Sequence, residues 1–187
     1  MEGFAEANGG VQVLLKDEAP LQADMVILAI GVTPDSRLAA DAGLELGLKG
    51  SIVVNDRMQT SDPDIYAVGD AVQVTHFVSG QPALIALAGP AKKQGRIAAD
   101  NIAGGDSRDT GSQGSSVLKI FSLTAAATGL NETAARRAGL DADAVVLSPM
   151  NHAGYYPGGQ VMTMKVVYER GTGRLLGGQI LGGDGVD

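Results

Sequence analysis

The 187-residue chain is 44% hydrophobic, which suffices for a folded core, and it carries a net charge of −7. This acidic balance excludes a general nucleic-acid binder and a protein of anionic membrane surfaces, because both need clustered Lys and Arg. No apolar run reaches the roughly 20 residues of a membrane helix, and the N-terminal residues lack a signal-peptide pattern, so we expect a cytoplasmic location and no membrane partner.

Cysteine is absent from the sequence, and only two histidines occur. This stretch of sequence therefore offers no disulfide, no thiolate zinc site and no cysteine nucleophile. His76 and His152 lie too far apart in sequence to form a local metal-binding pair. The sequence predicts no metal site.

The first half of the chain has the pattern of an α/β protein punctuated by glycine, with 27 Gly and 4% aromatic residues. Strands are predicted at 11–15 and 23–31, and the continuous apolar run of the second predicts burial on both faces. A short helix at 36–42 and a short strand at 52–54 follow.

Residues 60–70 read as a turn at Pro63, an apolar strand at 65–68 and a Gly69-Asp70 pair at its end. In an open α/β sheet ligands bind beyond the carboxyl ends of the strands, where an Asp accepts hydrogen bonds from ribose or ribitol hydroxyls. The alternative is a buried strand followed by an Asp that only faces solvent.

After a mixed loop at 71–81, apolar residues recur at spacings of three and four and predict an amphipathic helix. Pro90 suits a first turn, so the helix is expected to span 89–104. Its N-terminus would offer free amides and a partial positive charge to an electron-rich ligand. The alternative is a helix that only packs against the core.

Residues 106–116 have the composition of an exposed linker and mark a predicted domain boundary. Beyond it the pattern is β-β-α-β-β-β, with a helix capped by Asn131 and a hairpin around the turn at 169–173. The predicted elements are strands at 117–121, 123–128, 145–147, 161–168 and 175–181 and a helix at 131–138. This order predicts an α+β module with an antiparallel sheet.

The block at 152–159 contains Tyr155 and Tyr156 within an aromatic-poor sequence. A Pro-Gly turn with both rings packed against the sheet is one interpretation. A functional role for the two phenols is the other.

The pattern T-x-x-P-x-I-Y-A-x-G-D at 60–70, preceded by LAIGVTP at 28–34, resembles the second flavin-binding motif of the pyridine nucleotide-disulfide oxidoreductases. With the stretches 80–101 and 122–131 and the Tyr-Tyr-Pro-Gly block, nearly the whole chain resembles the branch of coenzyme A-disulfide reductases and NADH oxidases or peroxidases. The resemblance implies an FAD-binding region that is partly Rossmann-like, followed by an α+β dimerisation domain. The residues implied at FAD are Gly69, Asp70, Leu87, Ala88 and Gly89, with Asp70 on the ribitol.

The resemblance also implies a homodimeric enzyme with a role in cell redox homeostasis. It would pass a hydride from NAD(P)H via FAD to a redox cysteine outside this segment. The substrate would be a disulfide (coenzyme A disulfide or polysulfide), a peroxide or oxygen. Tyr155 or Tyr156 would lie near the partner subunit's redox cysteine and donate a hydrogen bond or proton to a leaving thiolate. The expected domains are the end of an NAD(P)H-binding domain at 1–33, part of an FAD-binding domain at 34–110 and a truncated dimerisation domain at 111–187.

Three departures from the family pattern predict that this chain is a fragment of a longer enzyme. The sequence has no G-x-G-x-x-G fingerprint in a βαβ unit and no redox cysteine, and we expect the C-terminal end of the dimerisation domain to be missing. The alternative is a non-catalytic dimerisation or regulatory module that has lost the redox centre. A ferredoxin or rubredoxin reductase needs no such cysteine, but the Tyr-Tyr-Pro-Gly block argues against that class.

Overall fold

The computed structural model describes residues 1–7 and 9–186, which divide into two compact units, Met1–Val32 and Thr33–Asp187. No helix among these described residues is both long and apolar enough to cross a membrane. The predicted division into three domains, at 1–33, 34–110 and 111–187, stays a prediction.

The first unit contains an antiparallel sheet of three strands, β1 (Gly3–Ala7), β2 (Gly10–Leu14) and β3 (Leu21–Ala23), in that order. The prediction at 11–15 corresponds to β2. Strand β1 was not predicted, because its sequence GFAEA has little β propensity and its pairing with β2 overrides that preference.

The predicted strand at 23–31 is wrong beyond Ala23, where the ladder with β2 ends. The apolar side chains that follow are exposed to solvent, with Met25 at 76%, Ile27 at 82% and Ile30 at 83%. A strand buried on both faces needs hydrogen-bonding neighbours and covering layers. The described residues provide neither for this segment.

In the second unit, helix α1 (Arg37–Asp41) forms within the predicted range, and a 3-10 turn follows at Leu48–Gly50. The strands predicted at 52–54 and 65–68 form only isolated bridges, through Ile52 and Tyr66. Each run finds a bridge partner among the described residues at one position only, so neither forms a ladder. The loop predicted at 71–81 contributes to a small hairpin of β4 (Val74–Thr75) and β5 (Pro82–Ala83).

Helix α2 (Ala88–Ile102) matches the predicted amphipathic helix and places Pro90 in its first turn. Its apolar face buries Ile97 and Ala98 against Met58, which is 2% exposed. Tyr66 packs against the same cluster. The segment that leads to the Gly69-Asp70 pair is thereby held on the side of α2.

The C-terminal part is a five-stranded antiparallel sheet with one helix, and the predicted order of elements is confirmed. The sheet order is β6-β7-β10-β9-β8. The elements are β6 (Ser116–Ile120), β7 (Leu123–Gly129), α3 (Glu132–Arg137), β8 (Ala142–Leu147), β9 (Thr163–Glu169) and β10 (Leu175–Gly182). The mixed α/β fold with an antiparallel C-terminal module is confirmed.

Local sequence explains helix α3 and its position on the sheet. The Asn131 side chain accepts a hydrogen bond from the Ala134 amide at 2.8 Å, and Gly139 closes the helix in a left-handed conformation with φ at 79°. The core between α3 and the sheet is formed by Leu130, Ala135, Ala142, Val167 and Leu176.

We expect Gly177→Ala to destabilise this module by about 3 kcal/mol, because the new methyl group would meet backbone atoms that have no room to move. It would lie 2.5 Å from the Leu130 nitrogen and 2.7 Å from the Thr128 oxygen, and would also clash with the Leu130 carbonyl. The matched control is Gly178→Ala, whose methyl group would meet only the Lys165 oxygen, at 3.7 Å. Urea unfolding of both variants measures the difference, and equal midpoints would contradict the prediction.

The segment at 106–116 differs from the predicted exposed linker, because it is tied to the residues before it. Arg108 pairs with Asp56 at 2.8 Å, and the Asp109 amide donates to the Asp56 carbonyl at 2.7 Å. Ser112 forms a parallel bridge with His76. The polar composition predicted a linker because the partners of these residues are distant in sequence and lie beside them only in the folded chain.

Candidate functional site

The Gly69-Asp70 pair lies in a turn rather than at the end of a continuous strand. Gly69 has a φ of 93°, a conformation that favours glycine, and a Cβ added there would meet no protein atom within 4 Å. Asp70 is exposed, and no described residue forms a hydrogen bond or an ion pair with its carboxylate. The carboxylate is available to hydroxyl donors of a ligand.

The first turn of α2 faces open space. Leu87 is the N-cap residue in an extended conformation, and its side chain makes no capping hydrogen bond. Ala88 and Gly89 are exposed, and a Cβ added at Gly89 would meet nothing within 4 Å. The glycine therefore leaves room for a flat group in front of amides that have no intrahelical partner. The flavin contact at Leu87, Ala88 and Gly89 stays a prediction.

Gln94 joins these two features and was not predicted from the sequence. Its side chain is 2% exposed, and its Oε1 accepts a hydrogen bond from the Gly69 amide at 2.8 Å. A signal was present in the sequence, since Gln94 lies three residues after Ala91 and four before Ala98 on the apolar face of the helix. A polar residue on a buried face needs a partner, which here is the turn before Asp70.

Tyr155 and Tyr156 lie in the loop between β8 and β9, which is closed by a pair of hydrogen bonds between Asn151 and Gln160, each 2.9 Å long. The two phenol rings contact each other with centroids 4.8 Å apart. His152 lies edge-on to Tyr156 at 6.4 Å.

Both rings are turned to solvent, with Tyr155 83% exposed and Tyr156 60% exposed. The interpretation in which they pack against the sheet is therefore wrong. No hydrogen bond among residues 1–7 and 9–186 joins this loop to the Gly69-Asp70 turn or to the start of α2. The predicted catalytic and cofactor-binding residues thus form two separate features of the second unit.

His76 begins the tight turn that joins β4 to β5 and carries a perturbed imidazole. Burial lowers the pKa of His76 below its usual 6.5, and a hydrogen bond with its own backbone partly offsets this. Its Nδ1 accepts long hydrogen bonds from the amides of Val78 and Ser79, at 3.3 and 3.4 Å. Protonation of Nδ1 would remove this acceptor.

We expect stability to fall as pH drops below about 6.5, because the unfolded chain then binds a proton at His76 before the folded chain does. Above that pH the contribution of His76 is constant. His76→Asn should remove this loss of stability at low pH, since Asn accepts from the same amides without titrating. Thermal unfolding between pH 5 and 8 tests this, with the exposed His152→Asn as the control. The same loss of stability at low pH in His76→Asn would refute the prediction.

Within the described part of the chain, no group of three or more His, Asp or Glu side chains could hold a metal ion.

Two family models match this chain. Residues 2–95 match the pyridine nucleotide-disulphide oxidoreductase model, and residues 115–187 match the dimerisation-domain model of the same enzymes.

Characterised relatives are similar over nearly all of the chain. The CoA-dependent NAD(P)H sulfur oxidoreductase of Pyrococcus abyssi is 36% identical over 96% of this chain and 40% of its own length. The NADH oxidase of Methanocaldococcus jannaschii is 38% identical over 94% of this chain and 39% of its own length. This chain therefore spans about 40% of the length of the curated relatives it matches.

A solved structure has the same fold. The reduced CoADR-RHD protein of Bacillus anthracis superposes with a TM-score of 0.88 at 48% identity, covering 96% of this chain and 32% of the other.

Proposed function

Because the chain belongs to the pyridine nucleotide-disulphide oxidoreductase family, as its motifs predicted, we propose that it is part of a longer FAD-dependent NAD(P)H oxidoreductase. The relatives named above are more than twice its length. The dinucleotide fingerprint and the redox cysteine, which this sequence lacks, would lie in the remaining part. NAD(P)H is supplied in the cytoplasm, so the proposed location is cytoplasmic.

The observation that carries this proposal is the corner formed by the Gly69-Asp70 turn and the first turn of α2. Asp70 offers a carboxylate that no described residue bonds, and Ala88 and Gly89 offer exposed amides in the first turn of the helix, whereas the Leu87 amide donates to the Ile85 carbonyl at 2.9 Å. FAD bound there would transfer the electrons of NAD(P)H to the cysteine. The role of Asp70 is to accept hydrogen bonds from the ribitol, and that of the amides is to stabilise negative charge on the flavin ring.

The proposed substrates follow from the relatives, whose names include a CoA-dependent sulfur oxidoreductase, a coenzyme A disulfide reductase and NADH oxidases. The proposed acceptor is therefore coenzyme A disulfide, a polysulfide or oxygen, and the motif resemblance adds a peroxide. In the first two reactions a thiolate leaves, and Tyr155 or Tyr156 is proposed to donate a hydrogen bond or proton to it. Their exposure supports a role outside their own subunit.

A homodimer is the second part of the proposal. The match to a dimerisation domain supports it, as does the edge strand β6, all of whose residues are exposed. Val117, Leu118 and Ile120 of this strand are 52 to 60% exposed. Covering such side chains with a second copy would remove apolar surface from water. Sedimentation of the longer protein at micromolar concentration measures this, and a strict monomer would overturn it.

The test is to express the longer protein that contains this chain and measure its FAD content and its oxidation of NADH and NADPH. Coenzyme A disulfide, polysulfide and hydrogen peroxide are offered separately without oxygen, and oxygen is offered alone. We expect near-stoichiometric FAD and turnover with at least one acceptor. A protein without FAD that oxidises neither nucleotide would refute the proposal.

The non-catalytic dimerisation or regulatory module remains the second candidate, because the sequence contains no cysteine. It predicts a folded dimer with no oxidation of NADH or NADPH. The same assays therefore separate the two functions.

A further inference from the structure

Gln94 connects the two predicted flavin contacts and takes no other assigned part in the proposed chemistry. It is one of four buried polar residues among those described, and its amide oxygen lies 2.8 Å from the Gly69 nitrogen. Asp70 is the next residue in the chain. A hydrogen bond at Gly69 therefore restrains the backbone that orients the Asp70 carboxylate.

The face of α2 that carries Gln94 is itself packed against the protein core. Ile97 and Ala98, on the same face of α2 as Gln94, are buried against Met58, and Tyr66 packs against the same cluster. The Ala67 amide donates to the Met58 carbonyl at 3.1 Å. Tyr66 is thus held against the cluster on α2 and Ala67 is held through Met58, whereas Gln94 bonds directly from the helix to the residue before Asp70.

Gln94 sets the distance between the two predicted flavin contacts, the Gly69-Asp70 turn and the first turn of α2. Gln94 lies five residues after Gly89, or roughly 7 to 8 Å along the helix axis. The Gly69 turn is thus held at a fixed separation, measured along the helix axis, from the first turn of α2. Gly69 has a φ of 93° and no side chain. Beyond Asp70 the backbone is held by hydrogen bonds from the Val72 amide to the Gly69 carbonyl at 3.3 Å and from the Ile52 amide to the Ala71 carbonyl at 2.9 Å, and Gln94 is the contact that ties this turn to α2.

We infer that Gln94 is a positioning residue that holds the Asp70 carboxylate at a fixed distance from the first turn of α2, so that one FAD engages both. This inference rests on the proposed function. Gln94 acts through the Gly69 backbone and is not assigned a contact with the flavin. Preorganisation of this kind increases affinity because less freedom is lost on binding.

The test measures the FAD dissociation constant of the longer protein after flavin removal, by titration with FAD. Gln94→Met keeps the side-chain volume but removes the acceptor, and we expect it to weaken binding about three- to tenfold. Gln94→Glu keeps an acceptor and should stay within about twofold of the parent. Gln94→Ala is a second loss variant, because Gln94 borders a cleft of about 380 Å³ from which water can replace the missing atoms.

The matched control is Asn101→Leu, at the other end of α2. Asn101 is also buried and donates to the carbonyls of Arg57 and Ser107 at 3.1 and 2.8 Å. The variant should lower the melting temperature of the apoprotein but leave the FAD dissociation constant unchanged. Weaker FAD binding in Asn101→Leu equal to that in Gln94→Met would reduce Gln94 to a general stabilising residue and overturn the inference.

A double-mutant cycle with Asp70→Ala separates the inference from the proposed function. Gln94→Met should cause no further loss of affinity in the Asp70→Ala protein if it acts through that carboxylate. Equal losses in both backgrounds, or no loss from Gln94→Met and Gln94→Ala while Asp70→Ala weakens binding, would overturn the inference alone. No loss from Asp70→Ala itself would overturn the FAD site of the proposed function.

Discussion

Asp70→Ala in the longer protein is expected to weaken FAD binding about ten- to hundredfold. The variant removes a carboxylate that accepts hydrogen bonds from hydroxyl groups, and such charge-assisted bonds contribute about 1.5 to 3 kcal/mol. Asp70 is exposed and no described residue partners its side chain, so the protein's own stability should change little. Titration of the apoprotein with FAD gives the affinity, and its melting curve gives the stability.

Asp64→Ala is the control for this experiment. Asp64 is an exposed carboxylate in the turn that precedes the same segment, and no described residue bonds to its side chain. It lies six residues before Asp70, so its removal should leave the FAD dissociation constant unchanged. An Asp70→Ala protein that held FAD as tightly as the parent would remove the ribitol contact from the proposal.

The 187-residue chain alone is expected to oxidise no NADH or NADPH and to bind FAD weakly or not at all. Asp70 and the first turn of α2 are present, but the sequence has no glycine-rich fingerprint for the FAD pyrophosphate and no redox cysteine. Most of the cofactor would have no protein contact. The measurement is a titration of the purified chain with FAD, followed by an NADH oxidation assay.

The longer protein, under identical conditions, is the positive control. The chain alone should also self-associate, because Met25, Ile27 and Ile30 expose apolar surface that a second copy would cover. Sedimentation at several concentrations follows this association. Stoichiometric FAD binding or NADH consumption by the chain alone would identify it as a complete small flavoprotein and refute the proposed fragment.

Sequence alone predicted the C-terminal module well, because its signals are local. Asn131 and Gly139 mark the two ends of α3 by capping chemistry that acts over three or four residues. The turn at 169–173 lies between β9 and β10, which pair as predicted. Pro90 marked the first turn of α2 for the same reason, since a proline restricts only its near neighbours.

For the candidate site, the sequence supplied residue types but not their arrangement. The motif resemblance led to Asp70 and to the first turn of α2, whereas the hydrogen bond from Gly69 to Gln94 was not predicted. That contact joins residues 25 positions apart. No short-range pattern encodes it, and only a polar residue on a buried helix face hinted at it.

The residues at 23–31 and 106–116 show what only the tertiary structure decided. An apolar run becomes a strand only where neighbouring strands accept its hydrogen bonds, and the described residues provide none beyond Ala23. A polar run becomes ordered where partners lie nearby, as Asp56 does for Arg108. Thus local chemistry determined the caps, turns and periodicity of this chain, whereas long-range partners decided which runs became strands or anchored segments and brought Gln94 to Gly69.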